Sequence, residues 1–198
     1  VSLTWTEILG FATGALCVWL VARQHIANWP VGLANNAFFI ALFLRSGLYA
    51  DAGLQVVFIA LAAYGWWTWA HGGGSGPGAL AVRRTTRTEW RWLLAAGAVG
   101  TVALTFLLGA ATDSTVPFWD ALTTALSLTA TYGQCVKLVE SWWLWIAADV
   151  VYIPLYAYKE LYLTSLLYAG FLTLCLIGLR GWRRELAARP ARLAEVAA

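Results

Sequence analysis

Long apolar runs separated by short polar breaks fill this chain from end to end. Hydrophobic residues dominate 3–22, 30–48, 52–70, 91–110, 116–136, 142–158 and 161–180. Each run is close to the roughly 20 residues a helix needs to cross a hydrocarbon core. The pattern predicts seven membrane-spanning helices and no strands. The second run is cut short by Arg45, whose long side chain can snorkel to the interface. The first, Leu3 to Ala22, is too long for a signal-peptide core and has no basic residue ahead of it, so it is expected to stay as a span. The one long connection, His71 to Trp90, opens with Gly72-Gly73-Gly74-Ser75-Gly76-Pro77-Gly78, a flexible-linker composition.

Composition supports the membrane reading. Of 198 residues, 61% are hydrophobic and 12% charged, about half the charge a water-facing domain carries. Thirteen Trp suit rings with one wet and one greasy end, at an interface or against a ligand. Cys17, Cys135 and Cys175 are odd in number and lie inside apolar runs, so they read as small buried hydrophobes.

Charge placement predicts an orientation. Seven spans put the loops after spans 1, 3 and 5 and the C-terminus on one face. That face holds 11 of the 13 basic residues, and the other holds only Arg45 and Lys159. By the positive-inside rule the C-terminus is expected in the cytoplasm and the N-terminus outside. Anionic lipid accounts for the Arg-rich tail, and no nucleic-acid partner is expected.

Sliding the chain against itself by 113 residues reveals a repeat. Trp29 falls on Trp142, Leu48-Tyr49 on Leu161-Tyr162, Leu54 on Leu167, Gly65 on Gly178, Trp69 on Trp182, and Asn36 on Asp149. Apolar coincidences mean little, but two Trp, a Gly and a polar pair in one register are hard to obtain by chance. The fold class expected is therefore an all-α integral membrane protein with seven helices arranged 3+1+3. Its two three-helix repeats are parallel, because four spans separate the copies. The organisation expected is a first repeat at 1–70, a flexible loop and connector helix at 71–115, a second repeat at 116–182 and a basic cytoplasmic tail at 183–198. Parallel repeats of this kind occur in carriers that bind substrate near the midplane between their halves.

Polar side chains inside spans are costly and mark candidate sites. In the sixth span Trp142, Trp145, Asp149 and Tyr152 stand at i, i+3, i+7 and i+10, one stripe of a helix. Two aromatic faces, a carboxylate and a phenol would suit an aromatic, polar and cationic ligand. The plainer alternative makes the Trp residues interfacial anchors and Asp149 a tie between helices. The matching stripe in span 2 is Trp29, Gly32, Asn36 and Phe39, and the repeat favours Asn36 over the adjacent Asn35. Gln55 in span 3 occupies the position of Tyr168 in span 7. Thr131, Gln134 and Lys137 form a further polar line. Thr131 is expected to bond its own helix, Gln134 to face a ligand, and Lys137 to pair with Glu140 at i, i+3. Pro117 marks a helix start, and Pro154 is a candidate kink at a gate. His25 and His71 lack metal-ligand spacing, so no metal and no cofactor is expected. The glycine run lacks a following Lys-Ser/Thr and is no phosphate loop.

These same residues resemble the PnuC family: Trp29-Pro30-Val31-Gly32-Leu33-Ala34-Asn35-Asn36, Leu48-Tyr49-Ala50-Asp51 with Leu54-Gln55, and Tyr64-Gly65-Trp66-Trp67-Thr68-Trp69. In the second half the resemblance rests on the Trp142-x-x-Trp145 pair, Asp149, Pro154-Leu155-Tyr156, and Leu161-Tyr162-Leu163-Thr164 with Leu167-Tyr168. It runs from about 5 to 184. It implies uptake of nicotinamide riboside, a cationic nucleoside-like vitamin, across a bacterial inner membrane by facilitated diffusion, with a cytoplasmic kinase trapping the product. The family's substrate residues would map onto Asn36, Gln55, Gln134, Trp142, Trp145 and Asp149, with Tyr152 and Tyr168 beside them. Thiamine or riboflavin is the alternative cargo. Glu160 departs from the family pattern. A lipid-acting enzyme using Asp149 and Lys137 and a membrane scaffold are the rival classes, and an enzyme is not expected. Substrate and lipid are the partners implied, and a homo-oligomer is left open.

Overall fold

The computed structural model describes residues 5–45, 49–72, 80–111, 116–158, 160 and 162–197. It contains seven helices: α1 (Trp5–Ala22), α2 (Asn28–Arg45), α3 (Tyr49–His71), α4 (Arg87–Ala111), α5 (Pro117–Cys135), α6 (Ser141–Tyr158) and α7 (Tyr162–Ala197). Among the described residues there is no strand, only one isolated bridge between Arg83 and Leu138. Most of the glycine linker and the pairs Leu48 and Leu161 fall outside the described residues. Two helix stretches, Arg87–Ala110 and Tyr162–Arg189, are long and apolar enough by themselves to cross a membrane, and Ile8–Ala22 is a shorter apolar one. The others fall short because they carry polar groups, among them Asn35, Asn36, Gln55, Gln134 and Asp149.

Pro117 opens α5 in the first turn, where its missing N–H leaves no partner wanting. α7 continues past the apolar run and through the basic tail to Ala197. Long straight-chain and alanine-rich residues after Trp182 favour that continuation. α4 packs on α5 and otherwise shows its apolar surface, with Trp92 and Phe106 exposed by 73% and 75%. That is the exterior a hydrocarbon surround requires.

The two triplets, α1–α3 and α5–α7, share their details at the 113-residue offset. Two residues past α1 and α5, Gln24 and Lys137 take left-handed φ of 54° and 53°. In each case the helix closes by the same pair of bonds: Gln24 N–H to Val21 O and His25 N–H to Leu20 O, then Lys137 N–H to Gln134 O and Leu138 N–H to Gly133 O. This is the Schellman closure, made here without the usual glycine. A Cβ on Gly65 would run into the ring of Trp29, and a Cβ on Gly178 into the same ring atoms of Trp142. Trp29 meets Trp69 edge-on at 5.4 Å and 85°, and Trp142 meets Trp182 at 5.6 Å and 89°. Phe39 stacks on Phe43 at 5.6 Å, and Tyr152 on Tyr156 at 5.6 Å.

The halves also clasp each other symmetrically. Trp69 Nε1–H donates to Gln134 O at 3.1 Å, and Trp182 Nε1–H donates to Val21 O at 3.1 Å. Val21 and Gln134 are themselves one offset apart. Trp69 and Trp182 lie 6.4 Å apart, and Lys137 Nζ donates to Gln24 Oε1 at 3.2 Å. A residue can touch its own counterpart only beside the axis that relates them. The pseudo-two-fold axis therefore passes between the two members of each of these pairs.

One element breaks the symmetry. Residues 80–86 form a strap over the α5–α6 turn. Arg83 N–H donates to Lys137 O and its carbonyl accepts from Val139 N–H, at 3.1 and 3.0 Å. Val82, within the strap, is buried, and Glu140 Oε2 accepts from both Thr85 N–H and Thr85 Oγ1–H at 2.8 Å. Glu140 and Lys137 thus do not pair. Glu140 holds the strap, while the Lys137 ammonium lies 4.5 Å over the Trp69 ring, and burial pushes it below its ordinary value.

Candidate functional site

A cavity of about 370 Å³ lies between the two halves. Nearly every residue on one side has its 113-offset counterpart on the other: Gly14 and Ser127, Val18 and Thr131, Val21 and Gln134, Trp29 and Trp142, Gly32 and Trp145. The series continues with Asn36 and Asp149, Phe39 and Tyr152, Gln55 and Tyr168, Phe58 and Phe171, and Ala62 and Cys175. The axis fixed by the Trp and Lys–Gln contacts therefore passes through the cavity.

The wall chemistry leans to the second half despite that symmetry, although Asn28, Asn35, Asn36 and Gln55 give the first half polar groups of its own. Ser127, Thr131, Gln134, Asp149 and Tyr152 of the second half face Gly14, Val18, Val21, Asn36 and Phe39 of the first. Asp149 is the one lining residue with an ionisable carboxyl, and no lining residue is basic. It is 3% exposed, and Cys175 Sγ–H donates to its Oδ2 at 3.5 Å. A carboxyl so buried, with a weak thiol donor on Oδ2, has acceptor capacity to spare. Three indole N–H groups, those of Trp29, Trp142 and Trp145, are buried without a hydrogen-bond partner. Buried donors are nearly always satisfied, so three unpartnered indoles among the residues lining one cavity stand out.

All eight residues singled out from sequence, Asn36, Gln55, Gln134, Trp142, Trp145, Asp149, Tyr152 and Tyr168, line this one cavity. The α6 stripe does so because i, i+3, i+7 and i+10 fall on one helix face. Tyr152 and Tyr168 pack at 4.5 Å, and Tyr156 lies over Tyr168 at 5.1 Å, forming an aromatic cap on α6 and α7. Near that cap Ser165 Oγ–H donates to Ile153 O at 2.8 Å, one residue before Pro154, which lies inside the continuous α6 helix.

Sequence reasoning undervalued several positions. Asn35 lines the cavity as well as Asn36; its amide bonds Thr13 Oγ1 and Gly10 O, tying α2 to α1. Thr131 bonds Ser127 O at 2.8 Å within its helix, yet both residues line the cavity. The signal was present, because Ser127, Thr131 and Gln134 lie on one stripe of α5. Trp29 and Gly32 were noted only as counterparts of the α6 stripe.

Residues 4–184 match the family described as Nicotinamide mononucleotide transporter. The riboflavin/roseoflavin transporter RibM of Streptomyces davaonensis is 32% identical, across 90% of this chain and 84% of that one. The nicotinamide riboside transporter PnuC of Escherichia coli is 28% identical, across 91% and 85%. A crystal structure of the vitamin B3 transporter PnuC has the same fold, with a TM-score of 0.70 and 24% identity over 92% of this chain and 82% of that one.

Proposed function

Because the chain belongs to the nicotinamide mononucleotide transporter family, we propose that its central cavity carries nicotinamide riboside across the cytoplasmic membrane. At the level of the family it is a vitamin transporter of the PnuC kind, which makes its work passage and not catalysis. The finer assignment rests on one observation: the lone carboxyl of the cavity, Asp149, faces a wall of aromatic rings with unsatisfied indole donors. A pyridinium nucleoside offers a cation for the carboxylate, a flat ring for Trp145 and Tyr152, and ribose and amide oxygens for the indoles. Asn36, Gln55, Gln134, Trp142 and Tyr168 would complete its polar and aromatic surround.

Two like halves around one axis support alternating access, in which the halves rock about a fixed site. The N-terminus would lie outside and the basic end in the cytoplasm, where a kinase would phosphorylate and retain the vitamin. Riboflavin is the second reading, favoured by the 32% identity to RibM; its neutral ring system gives Asp149 no charge to balance.

The test is uptake of labelled nicotinamide riboside into liposomes holding the purified protein, with riboflavin and thiamine as competitors. Saturable uptake blocked by unlabelled nicotinamide riboside is expected. Uptake of labelled riboflavin, unaffected by nicotinamide riboside, would overturn the assignment.

A further inference from the structure

Gly32 stands where the other half has Trp145, the largest size difference among the paired positions around the cavity. Glycine is a costly choice inside a helix compared with alanine, so its presence asks for a reason. Backbone conformation is not one, because Gly32 lies within the regular α2 helix with no left-handed φ. Close packing is not one either. A Cβ there would meet only the Cys17 sulfur, at 3.9 Å, an ordinary contact, whereas at Gly65 or Gly178 it would collide with an indole. Gly53, Gly109 and Gly170 also have room for a side chain, but they are not on the cavity wall. At Gly32 the missing side chain leaves space inside the cavity, beside Cys17 and across the axis from the Trp145 ring.

We propose that Gly32 is the specificity-determining position of the carrier: it leaves a slot on the first half, opposite Trp145, that receives the substrate's flat heterocycle and sets how large that ring system can be. The proposal rests on the reading of the cavity as the substrate site. The chemistry follows from the pair. One half supplies an indole face and an unsatisfied N–H, and the other leaves open cavity space where the symmetry would have put a second indole. A planar guest ring completes the arrangement by taking the place of that second indole. Polar substituents of the guest would turn towards Asp149 and Gln134, on the half that carries more of the polar wall.

The experiment compares Gly32→Ala, Gly32→Leu and Trp145→Ala with the parent, each as the full chain in detergent. Affinities for nicotinamide riboside and for riboflavin are read by calorimetry, beside thermal stability. Loss is expected to grade with side-chain size. Alanine should weaken the better-bound probe several-fold and leucine by about tenfold or more, as overfilling a packed site does. Riboflavin, with its wider ring system, should suffer more than nicotinamide riboside wherever both bind. If Gly32→Leu fails to fold, Gly32→Ala carries the test, because a single methyl at this position meets only a 3.9 Å contact. Folded Gly32 variants that bind as the parent does, while Trp145→Ala loses binding, would overturn the slot and leave the substrate site standing. If Trp145→Ala also binds like the parent, the cavity is not the substrate site and both readings fall.

Discussion

Lys137 donates to Gln24 at 3.2 Å, and the two are the same position of the two repeats. A contact between counterparts sits on the axis, and here it joins the α1–α2 and α5–α6 turns at the basic end. Opening that end requires the pair to part. Replacing Gln24 by Glu would give the half-buried ammonium a carboxylate in place of an amide oxygen, an ion pair worth up to about 1 kcal/mol. Gln24→Glu is therefore expected to raise thermal stability and slow uptake several-fold while leaving substrate affinity unchanged. Uptake at the parent rate in a stabilised variant would show that this end need not open there.

Trp145 offers two separable interactions, its ring face and an unpartnered N–H. Trp145→Phe keeps most of the face and loses the donor, and Trp145→Ala loses both. Alanine should weaken binding by about 1–3 kcal/mol, the range for an aromatic stacking partner, and phenylalanine by less. Titration calorimetry of the two variants orders them.

Asp149→Asn keeps the shape and an acceptor for Cys175 but removes the negative charge. If the cargo is a cation, affinity should fall by about 1.5–3 kcal/mol, the worth of a hydrogen bond to a charged group. Binding of a neutral competitor such as riboflavin should change little. Equal losses for both would remove charge from the account of Asp149.

The cavity holds one carboxyl and no second acid to share a proton or sodium ion. In liposomes without a kinase, uptake should stop at equal concentrations inside and out when the membrane potential is clamped at zero. An imposed proton or sodium gradient should leave that endpoint where it was. Accumulation beyond equality, driven by either ion, would identify a coupled carrier.

Gly65→Ala and Gly178→Ala both push a methyl into an indole ring, of Trp29 and Trp142 respectively. Overpacking of this kind costs about 1–3 kcal/mol. The two variants should lower the melting temperature by similar amounts, and markedly unequal shifts would mean that the halves tolerate strain differently.

The repeat was legible in the sequence because it rests on residues that chance rarely aligns. Trp29, Gly65 and Trp69 pack on one another, and so do Trp142, Gly178 and Trp182, so none can change alone without disturbing the others. The α6 stripe was legible by helical spacing. What hid was interaction between segments far apart in the chain. The bond of Thr85 to Glu140 spans 55 residues and leaves no local pattern, so Glu140 read as a partner for Lys137, three residues away. The purpose of Gly32 hid for another reason: empty space has no residue type, and only the paired walls reveal it.

The crossed bonds Trp69 to Gln134 O and Trp182 to Val21 O bear on how such a chain arises. Each indole finds its acceptor in the opposite half, so a polypeptide holding one triplet would have a buried donor and a backbone carbonyl both unmatched. Two identical copies, inserted with the same orientation, would satisfy both at once. The interface between the halves of this chain therefore has the form of a contact between two like subunits, with α4 supplying the covalent link between them. Once the copies shared a chain, their sequences were free to diverge. One could gather the carboxylate and hydroxyls while the other kept the vacancy at Gly32, which a strictly symmetric dimer could not do.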